Sequence, residues 1–203
     1  MGLENLTLLC YTLISMAGKK VLSADNQQER LGNINPWYIT GFVEGEGTFH
    51  IAMYRDLKMK HGIKIIPEFH INQSYLRINT LHEIQSYFHC GYIKENHKGK
   101  KNDNTYVFVV RDRNDLMKKI IPFFEKYHLL SVKQKSFELF SKIVKDMFLG
   151  KHTSKRGIKT IIKKAFLMNN KGRYRKTTMK QVLNFLKSSE TICQTSEDNQ
   201  KKI

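Results

Sequence analysis

The stretch Ile39-Thr40-Gly41-Phe42-Val43-Glu44-Gly45-Glu46-Gly47 decides how this chain is read. It has the spacing of the last turns of a helix, stops at Gly47, and gives way to alternating strand-like residues from Thr48 to Tyr54. Two local rules are broken inside it. Glycine within a helix costs ~1 kcal/mol relative to alanine, yet Gly41 and Gly45 stand one turn apart. Such a pair is explained by close approach of another backbone, because glycine carries no Cβ to hold a partner helix away. Glu44 and Glu46 also sit at the negative end of the helix dipole, where a carboxylate is unfavourable. A segment that violates local preference twice is a candidate functional site.

Upstream, Asn35-Pro36 supplies the helix start, with Asn as N-cap and Pro at the first position. Residues 1–33 read as a separate extension of unknown role. Its apolar run Leu6 to Met16 is too short to span a bilayer, and no basic segment precedes it as a secretory signal requires. Downstream, Thr48–Tyr54 and Ile63–Gln73 alternate as a strand pair joined by a basic loop. Leu81, Ile84 and Phe88 then make a helical stripe. A second strand pair, Gly91–Asn96 and Thr105–Arg111, flanks the polar turn Lys98 to Asp103. The remainder is helical, on stripes through Met117, Ile120, Ile121 and Phe124; Phe137, Phe140, Val144 and Met147; Ile158, Ile161, Ile162 and Ala165; and Val182, Leu183 and Leu186. The order α-ββ-α-ββ-α with extra C-terminal helices gives an α+β domain over 34–188 and a disordered tail over 189–203.

With 35 Lys and Arg against 18 Asp and Glu, the 203-residue chain carries a formal charge of +17. A chain this basic is drawn to polyanions. The lysines are spread over many segments rather than along one amphipathic helix, which favours nucleic acid over a membrane. Cys10, Cys90 and Cys193 are too few and too scattered for a disulfide framework or a zinc site. Helices that cover one face of the sheet leave the other to solvent. That outward set is His50, Ala52, Tyr54, Lys64, Ile66, Glu68, His70, Lys94, Asn96, Thr105 and Val107. It mixes donors, acceptors, an aromatic ring and methyl groups, as reading base edges in a major groove demands.

The 39–47 stretch resembles the LAGLIDADG motif of homing endonucleases, in spacing, in both glycines, in both acids and in the strand that follows. It departs from that motif in having Glu at both acidic positions. The resemblance runs from about Pro36 to Thr178 and is closest to the single-motif, intron-encoded type of organelles. It implies an antiparallel four-stranded DNA-binding sheet and Mg²⁺-dependent phosphodiester hydrolysis, with Mn²⁺ as a substitute. Glu46 and the Gly45 carbonyl become the metal ligands. Gln73 becomes the residue orienting the water network, Arg77 a basic group near the site, and Lys133 the lysine close to the scissile phosphate. Lys135, Arg175 and Lys176, the last two in the run Arg173-Tyr174-Arg175-Lys176, read as backbone-phosphate contacts.

No second copy of the motif is present in the sequence. Cutting both strands then calls for a homodimer packed through Gly41, Phe42, Glu44 and Gly45, and an isologous dimer predicts a pseudo-palindromic target. The resemblance implies a long site cut to leave short 3′ overhangs. Two other readings fit the same scaffold: an RNA maturase acting on its own intron, and a non-catalytic DNA-binding regulator. An organelle is the expected compartment, with a bacterial cytoplasm as the alternative.

Overall fold

The computed structural model describes residues 34–96, 104–171 and 175–186. The extension 1–33, the tail 189–203, the whole Lys98 to Asp103 turn, Arg173, Tyr174, Cys10 and Cys193 lie outside the described residues.

Helix α1 (Pro36–Glu46) begins as the sequence predicts. Asn35 is extended, and its side-chain oxygen accepts from the Trp37 N–H at 2.8 Å. The helix buries Ile39, Thr40 and Val43 and closes with the Gly47 N–H donating to the Val43 carbonyl. Gly47 is required sterically, since a Cβ there would lie 2.5 Å from a Val43 methyl and 2.8 Å from its carbonyl oxygen.

Strands β1 (Gly47–Arg55) and β2 (Ile63–Ser74) form the first antiparallel pair. A short 3₁₀ turn at Tyr75–Arg77 leads into α2 (Ile78–Phe88), then β3 (Tyr92–Glu95) and β4 (Thr105–Val110). β4 adds to β2 as well as to β3, so the sheet order is β1-β2-β4-β3, antiparallel throughout. Gly91, at φ +76°, turns the chain into β3, where a Cβ would meet Phe108 and the Val109 carbonyl within 2.7 Å.

The predicted helix through Met117 and Phe124 is three consecutive pieces. They are α3 (Arg113–Asp115), capped by Asp112, a π turn at Leu116–Ile120, and α4 (Ile121–Lys126). The Ile121 N–H reaches back to the Leu116 carbonyl next to Pro122, which has no N–H to continue an α ladder. Helices α5 (Lys133–Phe148), α6 (Lys155–Lys171) and α7 (179–186) complete the described chain.

The core lies between the inner sheet face and the helices. Phe49 is its centre, with the rings of Phe69, Phe124, Phe137 and Phe140 between 5.2 and 5.4 Å away. A smaller cluster of Ile63, Ile158, Ile162, Phe166, Val182 and Leu186 extends the packing to the far end of the β1–β2 hairpin. β1 is an edge strand, and its outward carbonyls are taken by side chains. Asn169 Nδ2 donates to the Phe49 carbonyl at 2.8 Å, and Arg175 Nη1 donates to the Ile51 carbonyl at 2.9 Å. The edge is thereby closed to strand addition.

Candidate functional site

Glu46 is the last residue of α1 and is exposed. Beside it, a contact the sequence did not announce resolves the conflict with the helix dipole. Lys133, at the start of α5, donates from Nζ to the carbonyls of Val43 and Glu44, both at 2.8 Å, and of Gly47 at 2.7 Å. An ammonium has three donors, and all are spent on the C-terminal end of α1. Burial pushes the Lys133 pKa down, while Glu44 and Glu46 pull it up.

Glu44 turns away from the exposed side of α1. Its carboxylate accepts from the Leu130 and Ser131 N–H groups and from the Ser131 hydroxyl, tying α1 to the loop that starts α5. Burial acts to raise its pKa, but those hydrogen bonds and the Lys133 charge outweigh it and hold the carboxyl below its ordinary range. Glu44, expected at a subunit interface, also ties α1 to α5 within its own chain and is half-buried there. Replacing Lys133 by Met strips a cation from three carbonyls, and chemical denaturation should show a loss of about 1–3 kcal/mol. Unchanged stability would mean that the three contacts contribute nothing.

The glycines behave differently. Among the described residues, a Cβ built on Gly41 or Gly45 meets nothing within 4 Å, so neither glycine is needed for packing against them. Both lie on an exposed strip of α1 with Trp37 and Tyr38, which are 56% and 50% exposed. Phe42 is half-buried, stacks on Tyr38 at 6.0 Å, and packs on the core.

A groove of about 840 Å³ runs from the end of α1 along β1, lined by Gly45, Thr48, His50, Lys133, Ser136, Asn169 and Arg175 among others. Arg175 is turned inward, donating to the Ile51 and Ala165 carbonyls and lying over the Phe166 ring. Its guanidinium holds the edge of β1 in place. Lys135 and Lys176 are exposed. Gln73 lies outside the groove lining, two residues beyond Ile71, the register partner of Gly47, and its Oε1 accepts from the Ser74 N–H. Arg77 is exposed at the end of the 3₁₀ turn.

The strand register puts the predicted outward residues on one face. His50 pairs with Glu68, Ala52 with Ile66, Tyr54 with Lys64, and Thr48 with His70. Across the sheet His70 pairs with Val109, Asn72 with Val107, Ser74 with Thr105, and Lys94 with Val107. The face is not uniformly open. Tyr54, Lys64, Lys94 and Asn96 are exposed, and His50, Ile66, His70 and Thr105 are half-buried. Ala52, Glu68 and Val107 are buried. The expectation of eleven side chains open to a groove is corrected at those three. Glu68 is instead ion-paired to Arg111 and lies 3.0 Å from His70.

Burial, and then the Arg175 guanidinium, push His50 down to about 4, against the pull of Glu68. A depressed imidazole favours folding in its neutral form. Its contribution is complete above its ordinary 6.5 and is lost as pH falls toward about 4. Thermal melts across that window should show stability dropping with acid, and His50→Gln should flatten the dependence. An equally steep dependence in the variant would assign the protons elsewhere.

Among the described residues no three His, Cys, Asp or Glu side chains gather as a metal cage, and no helix is long and apolar enough to cross a membrane. A family model described as LAGLIDADG endonuclease matches residues 39–144. The chain is 36% identical over 138 residues to probable intron-encoded endonuclease 2 of Neurospora crassa, covering 67% of this chain and 29% of that protein. It is 32% identical over 90 residues to the DNA endonuclease I-CeuI of Chlamydomonas moewusii, covering 44% of this chain and 40% of the other. The chain thus spans well under half the length of both curated relatives. Among solved structures, the homing endonuclease I-TnaI aligns at a TM-score of 0.66 and 32% identity, over 77% of this chain and 99% of that one. The meganuclease I-SmaMI bound to uncleaveable DNA aligns at 0.64 and 27%, over 68% of this chain and 47% of that one.

Proposed function

The chain belongs to the LAGLIDADG endonuclease family, and from that premise we propose that it is a site-specific DNA endonuclease acting as a homodimer on a long pseudo-palindromic target. The observation that carries this reading is the end of α1. One exposed carboxylate, Glu46, stands there on a helix whose exposed glycines can admit a second copy.

The residues present fit a hard divalent cation. Mg²⁺ is commonly held by one or two carboxylates together with substrate phosphates and waters, rather than by an all-protein cage. Glu46, with the Gly45 carbonyl beside it, supplies oxygen donors of that kind, and Mn²⁺ takes the same set. Such a cation polarises a phosphoryl oxygen and stabilises the leaving oxygen when bound. The chain's own groups do the rest. Lys133 fixes the carbonyls around Glu46, so the carboxylate needs little reorganisation. Gln73 orients the water network, and Arg77 offers positive charge near the strand being cut. Lys135, Lys176, Lys64 and Lys94 neutralise backbone phosphates, and Tyr54, His70, Asn96 and Thr105 meet base edges.

Each protomer cuts one strand, and the two-fold axis through α1 sets the two cuts. Intron mobility is the biological outcome of that cleavage, with an organelle as the compartment. The test is to expose a randomised duplex library to the protein with Mg²⁺ and sequence the cleaved ends. A recurrent site with two-fold symmetry and short 3′ overhangs supports the reading. Ends without a common sequence refute it. The maturase reading would instead need selective binding to intron RNA, which the same protein can be tested for directly.

A further inference from the structure

Glu68 is the most buried acid on the sheet face, at 3% exposure, in the middle of a surface otherwise fit for contact with DNA. A carboxylate there repels phosphates and is too deep to reach a base. Its surroundings give it another use. The Arg111 Nε lies 2.5 Å from one carboxylate oxygen and His70 Nε2 lies 3.0 Å from the other, on an oblique approach. His70 Nε2 is itself shielded from solvent, although the His70 side chain as a whole is 23% exposed. The exposed part of the ring is therefore the rest of it. His70 stands in the centre of the sheet, between Thr48 on β1 and Val109 on β4.

We infer that Glu68 is a positioning residue that fixes His70 as a reader of one base pair in each half-site. The inference rests on the endonuclease reading above. An ionised carboxylate only accepts hydrogen bonds, so the imidazole nitrogen facing Glu68 is the one that carries the proton. In neutral His70 the other nitrogen, Nδ1, is then a pure acceptor. An acceptor at that point matches the exocyclic amino group of adenine or cytosine in the major groove and rejects the carbonyl of guanine or thymine. Arg111 balances the charge of Glu68, so that the acid can stay ionised beneath a DNA surface. The arrangement has the logic of a histidine whose buried partner sets its tautomer and ring orientation.

The test is a cleavage profile over every single-base variant of the target selected from a randomised duplex library. It compares wild type, Glu68→Gln, His70→Ala and the double variant, each first checked by thermal melting. Gln can turn a donor toward the ring, which removes the constraint on the tautomer. Glu68→Gln and His70→Ala should relax the same base pair in each half-site by about tenfold, and the double variant should relax it no further. A merely structural role would lower activity alike on all targets. If Glu68→Gln fails to fold, His70→Ala with Arg111→Lys carries the comparison, since the lysine keeps the counter-charge and should leave the profile unchanged. The inference is overturned if His70→Ala leaves every preference intact, or if the two single variants relax different positions. A wild type that selects no site at all overturns the endonuclease reading with it.

Discussion

Glu46→Gln is expected to lower cleavage by about 10³-fold or more while leaving the fold and DNA binding in place. The carboxylate is exposed at the end of α1 and is absent from the hydrogen bonds that hold Lys133 and Glu44 there. Removing its charge costs no packing. Gln keeps the length and an oxygen but loses the formal charge that a hard divalent cation requires. The loss should therefore fall on the chemical step, seen as a reduced single-turnover rate with the dissociation constant for DNA little changed. A variant that cuts at the wild-type rate would remove Glu46 from the chemistry. One that neither cuts nor binds would recast Glu46 as a fold or interface residue.

The second large effect is at the glycine strip. Gly41→Leu or Gly45→Leu should leave the protomer as stable as wild type or slightly more so, because a better helix former replaces glycine in open space. Dimerisation should fall by more than a hundredfold, since backbones that meet at two glycines cannot approach across two leucines. Stability and activity then move in opposite directions. That divergence separates an interface role from a folding role. Sedimentation at low protein concentration reads the first quantity and denaturation the second. A leucine variant that still dimerises and still cuts both strands would mean that the protomers meet somewhere other than α1.

Much of the architecture was legible because it is written in local pattern. The alternation of Phe49, Ile51 and Met53 with His50, Ala52 and Tyr54 separated the two faces of β1, and the first three do pack in or against the core. Asn35-Pro36 marked the helix start in the same local way. Three contacts that were not legible share one cause. Lys133 meets carbonyls 86 to 90 residues away, Glu44 meets Ser131 at 87, and Arg175 meets Ile51 at 124. Side-chain-to-backbone bonds over such separations leave no periodic trace. Glu44 was read from its place on the motif and Arg175 from its basic run, and neither signal shows which backbone atoms the side chain meets. Glu68 misled for a related reason, since alternation gives the face a side chain takes but not its depth. The π turn before Pro122 was masked by an apolar stripe that fits helical spacing on either side of it.

The most direct measurement on the central claim is cleavage of a supercoiled plasmid carrying the site selected from the randomised duplex library, with Mg²⁺ and with EDTA. The account predicts linearisation at a single site, dependent on the cation and leaving short 3′ overhangs. A folded, dimeric protein that binds this plasmid but leaves it uncut in both Mg²⁺ and Mn²⁺ would contradict it.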